Sequence, residues 1–111
     1  EIIVNLGGDN ISPSKIENLL SLNEKIKQSF VYGDKKTYLE ALVVRDNEEN
    51  KKEIEIYLEN VNKSLSLVEK VKKFKLIKEE FTIENGMLTP TLKLKRKKIL
   101  EKYKEDLEKL Y

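Results

Sequence analysis

Two stretches of this 111-residue chain carry residues whose types and spacing could do chemistry. The chain has no cysteine and no histidine. Thiolate nucleophiles, Ser-His-Asp triads, disulfide frameworks and ordinary zinc sites are therefore excluded within it. What remains is carboxylates, hydroxyls, lysine amines and backbone amides, and no residue is assigned as a metal ligand. The first stretch is Gly86-Met87-Leu88-Thr89-Pro90-Thr91-Leu92-Lys93-Leu94-Lys95-Arg96. Asn85-Gly86 is a strong turn dipeptide, and Pro90 biases Thr89 toward extended geometry. The pattern predicts a turn, a short extended segment, and then Lys93 just before a basic helix. Such an arrangement presents a lysine at the tip of something.

The second stretch is Gly7-Gly8-Asp9-Asn10. Glycines let a backbone approach a ligand closely and turn amide N–H groups toward it. An ordinary strand-to-helix turn has the same composition, and the two readings are compatible. The run from Lys93 to Lys98 admits a solvated helix face, local steering of a polyanionic ligand, or docking on an anionic membrane or nucleic acid.

Composition bounds these options. Charged residues make up 38% of the chain, yet the formal net charge is only +2. A dedicated nucleic-acid binder carries a larger basic excess, so no nucleic-acid partner is expected. No apolar run approaches the roughly eighteen residues that span a bilayer, and no secretory signal pattern opens the chain. The lack of cysteine suits a cytoplasmic setting. All the basic residues are lysine except Arg45 and Arg96, which reads as compositional bias.

The elements that must position these stretches follow from periodicity. Glu1 to Asn5 has strand composition. Ser12-Pro13 starts a helix, with serine as N-cap and proline at the first helical position; Ile16, Leu19 and Leu20 carry it to about Asn23. Ile26 to Tyr32 alternates, and Tyr38 to Val44 is more continuously apolar. Joined through Gly33-Asp34-Lys35-Lys36-Thr37, they predict an antiparallel pair. Asn47 is placed to cap the next helix, with Glu48 and Glu49 against its dipole. Ile54, Tyr57, Leu58, Val61 and Leu65 form that helix's apolar face. Val68 to Phe74 could close a helix or open a strand, and Lys75 to Ile83 reads as extended. A last helix runs from Lys93 or Lys95 to Leu110, with a stripe of Ile99, Leu100, Tyr103, Leu107 and Leu110. The expected class is α+β: one small domain, a small sheet with an antiparallel hairpin packed against helices.

Three blocks resemble a known family. Thr89-Pro90-Thr91-Leu92-Lys93-Leu94-Lys95-Arg96 resembles the lysine motif near the C-terminus of adenylate-forming enzymes, Thr-x-Ser-Gly-Lys-Ile-x-Arg. Thr91 stands for its serine, Leu92 for its glycine and Leu94 for its isoleucine, and the variant looks like the long-chain acyl-CoA synthetase branch. Residues 7–17 resemble the family's Gly-Gly-Glu-Asn-Ile-x-Pro-x-x-Ile-Glu segment, with Asp9 in place of the commoner glutamate. Val31-Tyr32-Gly33-Asp34 and Tyr38 to Val44 resemble its central hairpin.

The resemblance covers nearly the whole chain, but only the family's C-terminal lid. It implies a two-step reaction. A fatty acid and Mg-ATP give acyl-adenylate and pyrophosphate, and coenzyme A then takes the acyl group and releases AMP. It makes Lys93 the catalytic lysine of the first step, bridging carboxylate and phosphate as charge builds. It places Gly7, Gly8, Asp9 and Asn10 beside coenzyme A for the second step, and gives Glu17 a structural role. ATP, Mg2+ and the fatty acid would sit mainly on an N-terminal adenylation domain of the same polypeptide. The hinge would lie at or just before Glu1, and the lid alone would be inactive. The alternatives are the lid of another carboxylic-acid adenylating ligase, or a stand-alone basic module for anionic lipid or nucleic acid. The expected setting is cytoplasmic, with peripheral membrane contact left open.

Overall fold

The strand that organises the fold is the apolar run Leu39 to Arg45, which forms the middle of a three-stranded sheet. In the computed structural model, which describes residues 1–45 and 48–111, this strand (β4) lies between β3 (Ile26–Tyr32) and β5 (Val71–Ile77). The β3–β4 pair is antiparallel, as the hairpin pattern predicts, and β5 runs parallel to β4. A central strand covered on both faces cannot alternate, and Leu39 to Val44 are all buried.

The two faces feed two cores. Leu39, Ala41 and Val43 pack with Ile16 and Leu20 of α1 (Pro13–Leu20) and with Ile54, Leu58 and Val61 of α2 (Lys51–Lys63). Leu42 and Val44 pack with Phe30, Phe81, Met87, Leu88 and the buried stripe Ile99, Tyr103 and Leu107 of α3 (Arg96–Leu110). The helices thus cover opposite faces of the sheet. A separate two-residue hairpin, β1 (Ile3–Val4) with β2 (Asn10–Ile11), leads into α1.

The boundaries differ from expectation in instructive places. α1 ends at Leu20 and not near Asn23, because Ser21 closes it as C-cap. A short 3-10 turn, Glu48–Asn50, precedes α2, so Glu49 sits ahead of the helix; Asn47 lies outside the described residues. The ambiguous stretch splits into a 3-10 turn over Leu67–Glu69 and then β5. Beyond Ile77 the chain leaves the sheet. There Gln28 holds the backbone of Phe81 from both sides, donating to its carbonyl at 2.8 Å and accepting from its N–H at 2.7 Å.

One polar group lies inside this apolar frame. Glu40 of β4 is fully buried, and neither carboxylate oxygen has a hydrogen-bond partner among the described residues. Burial and the Glu108 carboxylate push its pKa up to about 7, against smaller opposing effects of Lys73 and Lys36. Tyr111 lies in the same region. Its ring packs on Tyr38 at 4.9 Å between centroids, and burial and Glu40 both push its phenol up.

Candidate functional site

Residues 88–94 are not simply extended, as the sequence pattern suggested; they fold into a tight hairpin. Leu88 and Leu94 form an antiparallel bridge. Leu92 N–H donates to the Thr89 carbonyl at 2.8 Å, and Thr89 N–H donates to the Lys93 carbonyl at 2.8 Å. This is a β-turn led by proline at its second position, followed by a one-residue bulge. The bulge residue needs a left-handed backbone, and Leu92 adopts φ +64° there. That conformation costs a side-chain-bearing residue about 1–2 kcal/mol. The Thr89 hydroxyl offsets part of this by accepting from Lys93 N–H at 3.1 Å.

Lys93 therefore follows a fixed turn and precedes α3, and its side chain is exposed. Its amine makes no hydrogen bond or ion pair among the described residues, so its charge is available to an anion. It borders an open cleft of about 710 Å³ with Thr89, Ser14, Asn18, Ser21 and Arg96. Its hydroxyls and amides together with the Lys93 ammonium suit phosphate or carboxylate oxygens, whereas Arg96 is already engaged by Glu17 and Glu1, which also line the cleft.

The base of the hairpin is tied to the rest of the fold by charge. Arg96 donates to both oxygens of Glu17, at 2.8 and 2.6 Å. Glu17 also accepts from Val31 N–H of β3 at 2.8 Å. The Arg96 guanidinium lies over the Phe30 ring, 5.9 Å from its centroid, and its Nε is 3.2 Å from Glu1. This pair joins α1, β3 and α3 at one point.

Gly7, Gly8, Asp9 and Asn10 lie on the β1–β2 hairpin, and none of them lines the Lys93 cleft. Their loop repeats the geometry of the lysine hairpin. Gly8 N–H donates to the Asn5 carbonyl at 3.0 Å, and Asn5 N–H to the Asp9 carbonyl at 3.2 Å. The bulge position is Gly8, with φ +86°. Asp9 closes the loop: its N–H donates to the Asn5 side-chain oxygen at 2.8 Å, and its carboxylate accepts from Asn5 Nδ2 at 3.2 Å. Gly8 N–H is thus committed internally, whereas Gly7 N–H has no partner among the described residues. Asn10 is exposed in β2.

Sequence reasoning placed Arg96 at the end of the lysine motif and in a basic run, and gave Glu17 a structural role in the glycine segment, without pairing the two. The usable signal was that Arg96 is one of only two arginines in a lysine-rich chain. A fork is needed where two carboxylate oxygens are gripped at once, and lysine cannot supply one. Among the described residues no three acidic side chains gather as a metal site, and no helix is long and apolar enough to cross a membrane.

A sheet with helices on both faces and two bulge-closed hairpins at its periphery has close counterparts. The adenylation domain of a carboxylate reductase from Mycobacterium chelonae superposes with TM-score 0.88 at 32% identity, covering 99% of this chain and 19% of that one. The sequence model for the AMP-binding enzyme C-terminal domain matches residues 1–111, and the chain belongs to that family. Among curated proteins it is 33% identical over 135 aligned positions to the long-chain-fatty-acid–CoA ligase FadD15 of Mycobacterium tuberculosis, covering all of this chain and 22% of that protein. It is 33% identical over 129 positions to long-chain-fatty-acid–CoA ligase 6 of Rattus norvegicus, covering 94% of the chain and 18% of that protein. The chain spans about a fifth of the length of these relatives.

Proposed function

We propose that residues 1–111 form one domain, the C-terminal lid of a cytoplasmic long-chain fatty-acid–CoA ligase. The observation that carries the reading is Lys93, a cation unpaired among the described residues and held on a strained hairpin beside a polar cleft, in a chain whose curated relatives include long-chain-fatty-acid–CoA ligases. In the first step a fatty-acid carboxylate attacks the α-phosphate of ATP, forming acyl-adenylate and expelling pyrophosphate. Two anions meet there, and the Lys93 ammonium reduces their repulsion and stabilises the charge that builds on the phosphoryl oxygens. In the second step the thiol of coenzyme A displaces AMP. Gly7 offers a free backbone N–H to that substrate, while Gly8 and Asp9 shape the loop and Asn10 flanks it. Because the two loops do not share a cleft, one domain serves both steps by reorienting against a larger adenylation domain. That domain would hold ATP, Mg2+ and the fatty acid.

Similarity to the adenylation domain of a carboxylate reductase supports a second reading, in which the acyl-adenylate is formed in the same way but passed to a different acceptor. Both readings give Lys93 one task. The test is Lys93→Ala in the intact protein, with half-reactions measured separately. ATP–pyrophosphate exchange should fall about 10²–10³-fold, while thioester formation from supplied acyl-adenylate should be largely kept. Unchanged exchange would reject the assignment and favour a basic interaction module. Turnover of fatty acid, ATP and coenzyme A by the 111-residue chain alone would reject the lid reading.

A further inference from the structure

Lys93 stands on a hairpin closed by its own backbone bonds and tied to the core through Met87 and Leu88, but the helix start that follows it is poorly capped. α3 begins at Arg96 with Lys95 as N-cap, no side-chain cap bond, and no acidic residue in its first turn. Arg96, Lys97 and Lys98 there oppose the helix dipole. The hairpin is continuous with this helix start, because Lys95 N–H donates to the Met87 carbonyl at 2.8 Å and Leu94 pairs with Leu88. A mobile helix start would move Lys93 with it.

The geometry points to the Glu17–Arg96 pair as a positioning device for Lys93. This inference deepens the lid reading and rests on it. The path is short and made of fixed groups. Val31 N–H of β3 anchors Glu17 at 2.8 Å, and Glu17 grips both ends of the Arg96 fork at 2.8 and 2.6 Å. The side chains of Glu17 and Arg96 are only 10% and 17% exposed, so water scarcely competes for them. From Arg96 to Lys93 is three residues, at most about 10 Å of extended chain. A bidentate planar pair fixes orientation as well as distance, which a single ammonium contact cannot do. Arg96 acts through Lys93 and is not itself required to touch the substrate.

The test uses the intact protein with Arg96→Lys and Glu17→Gln. The first keeps the charge and loses the fork, and the second keeps an acceptor for Val31 N–H while removing the charge. Both avoid leaving a bare buried arginine or carboxylate without any partner. Arg96→Lys should lower kcat for acyl-adenylate formation about ten- to a hundredfold, with KM for ATP and thioester formation from supplied acyl-adenylate nearly unchanged. Glu17→Gln should lower the same step by a smaller factor. In a Lys93→Ala background, Arg96→Lys should lower the rate no further, because the lysine it positions is gone. Equal losses in both half-reactions, or a further loss in the Lys93→Ala background, would overturn the proposal in favour of general support of the fold. Wild-type adenylation in Arg96→Lys and Glu17→Gln, with Lys93→Ala impaired, would overturn the positioning role alone. Wild-type adenylation in Lys93→Ala would overturn the lid reading beneath it. If Arg96→Lys does not fold, as judged by circular dichroism, Glu17→Gln decides the matter by the same criteria.

Discussion

Replacing Glu40 by glutamine should remove most of the pH dependence of stability between pH 4.5 and 7. The carboxyl sits fully buried on β4 with no hydrogen-bond partner among the described residues, and its pKa is raised from 4.5 to about 7. The folded chain therefore holds this proton more tightly than the unfolded chain does. Below pH 4.5 both states are protonated and the group has no effect. Between 4.5 and about 7 stability falls by about 1.4 kcal/mol per pH unit, and above 7 the loss is complete. The whole rise corresponds to about 3 kcal/mol, a large share of the roughly 5–15 kcal/mol that holds a domain together. Glutamine has nearly the same shape and no charge, so Glu40→Gln should match the wild-type protein at pH 4.5 and exceed it by about 3 kcal/mol at pH 8. Urea denaturation followed by circular dichroism at pH 4.5, 6, 7 and 8 reads this directly. With a slope near 1–2 kcal/mol per molar urea, the midpoints at pH 8 should differ by about 2 M. A difference between the two proteins that stays constant with pH would refute the reasoning. It would mean that Lys73 and Lys36 balance the carboxylate, or that water reaches it.

Other outcomes follow from the loops and the charged contacts. Gly8→Ala should lower stability by about 1–2 kcal/mol, because φ is +86° there and an added Cβ would meet nothing within 4 Å, leaving backbone strain as the only cost. Leu92→Gly, at the equivalent position of the lysine hairpin, should raise stability by up to about 1 kcal/mol, less what a more flexible unfolded chain takes back; chemical denaturation measures both. The hydrogen bond from Lys15, then those from the Ser66 backbone and hydroxyl, hold Glu69 down at about 2. Its contribution is present above pH 4.5 and lost as pH falls through 2, so Glu69→Gln should be destabilised at pH 7 and indistinguishable from wild type at pH 2 in thermal melts.

Several features were legible locally, for identifiable reasons. Ser12-Pro13 starts α1 because a hydroxyl cap and a preset φ act within one turn, and the Ser12 hydroxyl accepts from Lys15 N–H at 3.4 Å. The β3–β4 pair followed from two apolar runs around a polar turn. The partner of β5 was not legible. Its lysine-rich run pairs in parallel with β4 through a long crossover containing α2, and no local signal specifies a parallel neighbour. The pattern makes Lys75 to Ile83 one extended run on Leu76 and Phe81, yet β5 ends at Ile77, level with Val44 of β4, and the charged Lys78-Glu79-Glu80 follows.

The sequence alone determined the types of group available: no thiol, no imidazole, a lysine after a proline turn, and a paired-glycine loop ahead of a capped helix. Each depends on composition or on contacts between residues a few positions apart. Tertiary structure decided how those groups are held. Glu17 and Arg96 are 79 residues apart, and only the packing of α1 and α3 on the same sheet brings their charges together. Glu40 reads locally as one polar residue in a strand, and it becomes a buried acid only when α3 closes over that face. Burial and long-range pairing depend on the whole fold, which is why a chain can announce its chemistry locally and leave its geometry to the folded state.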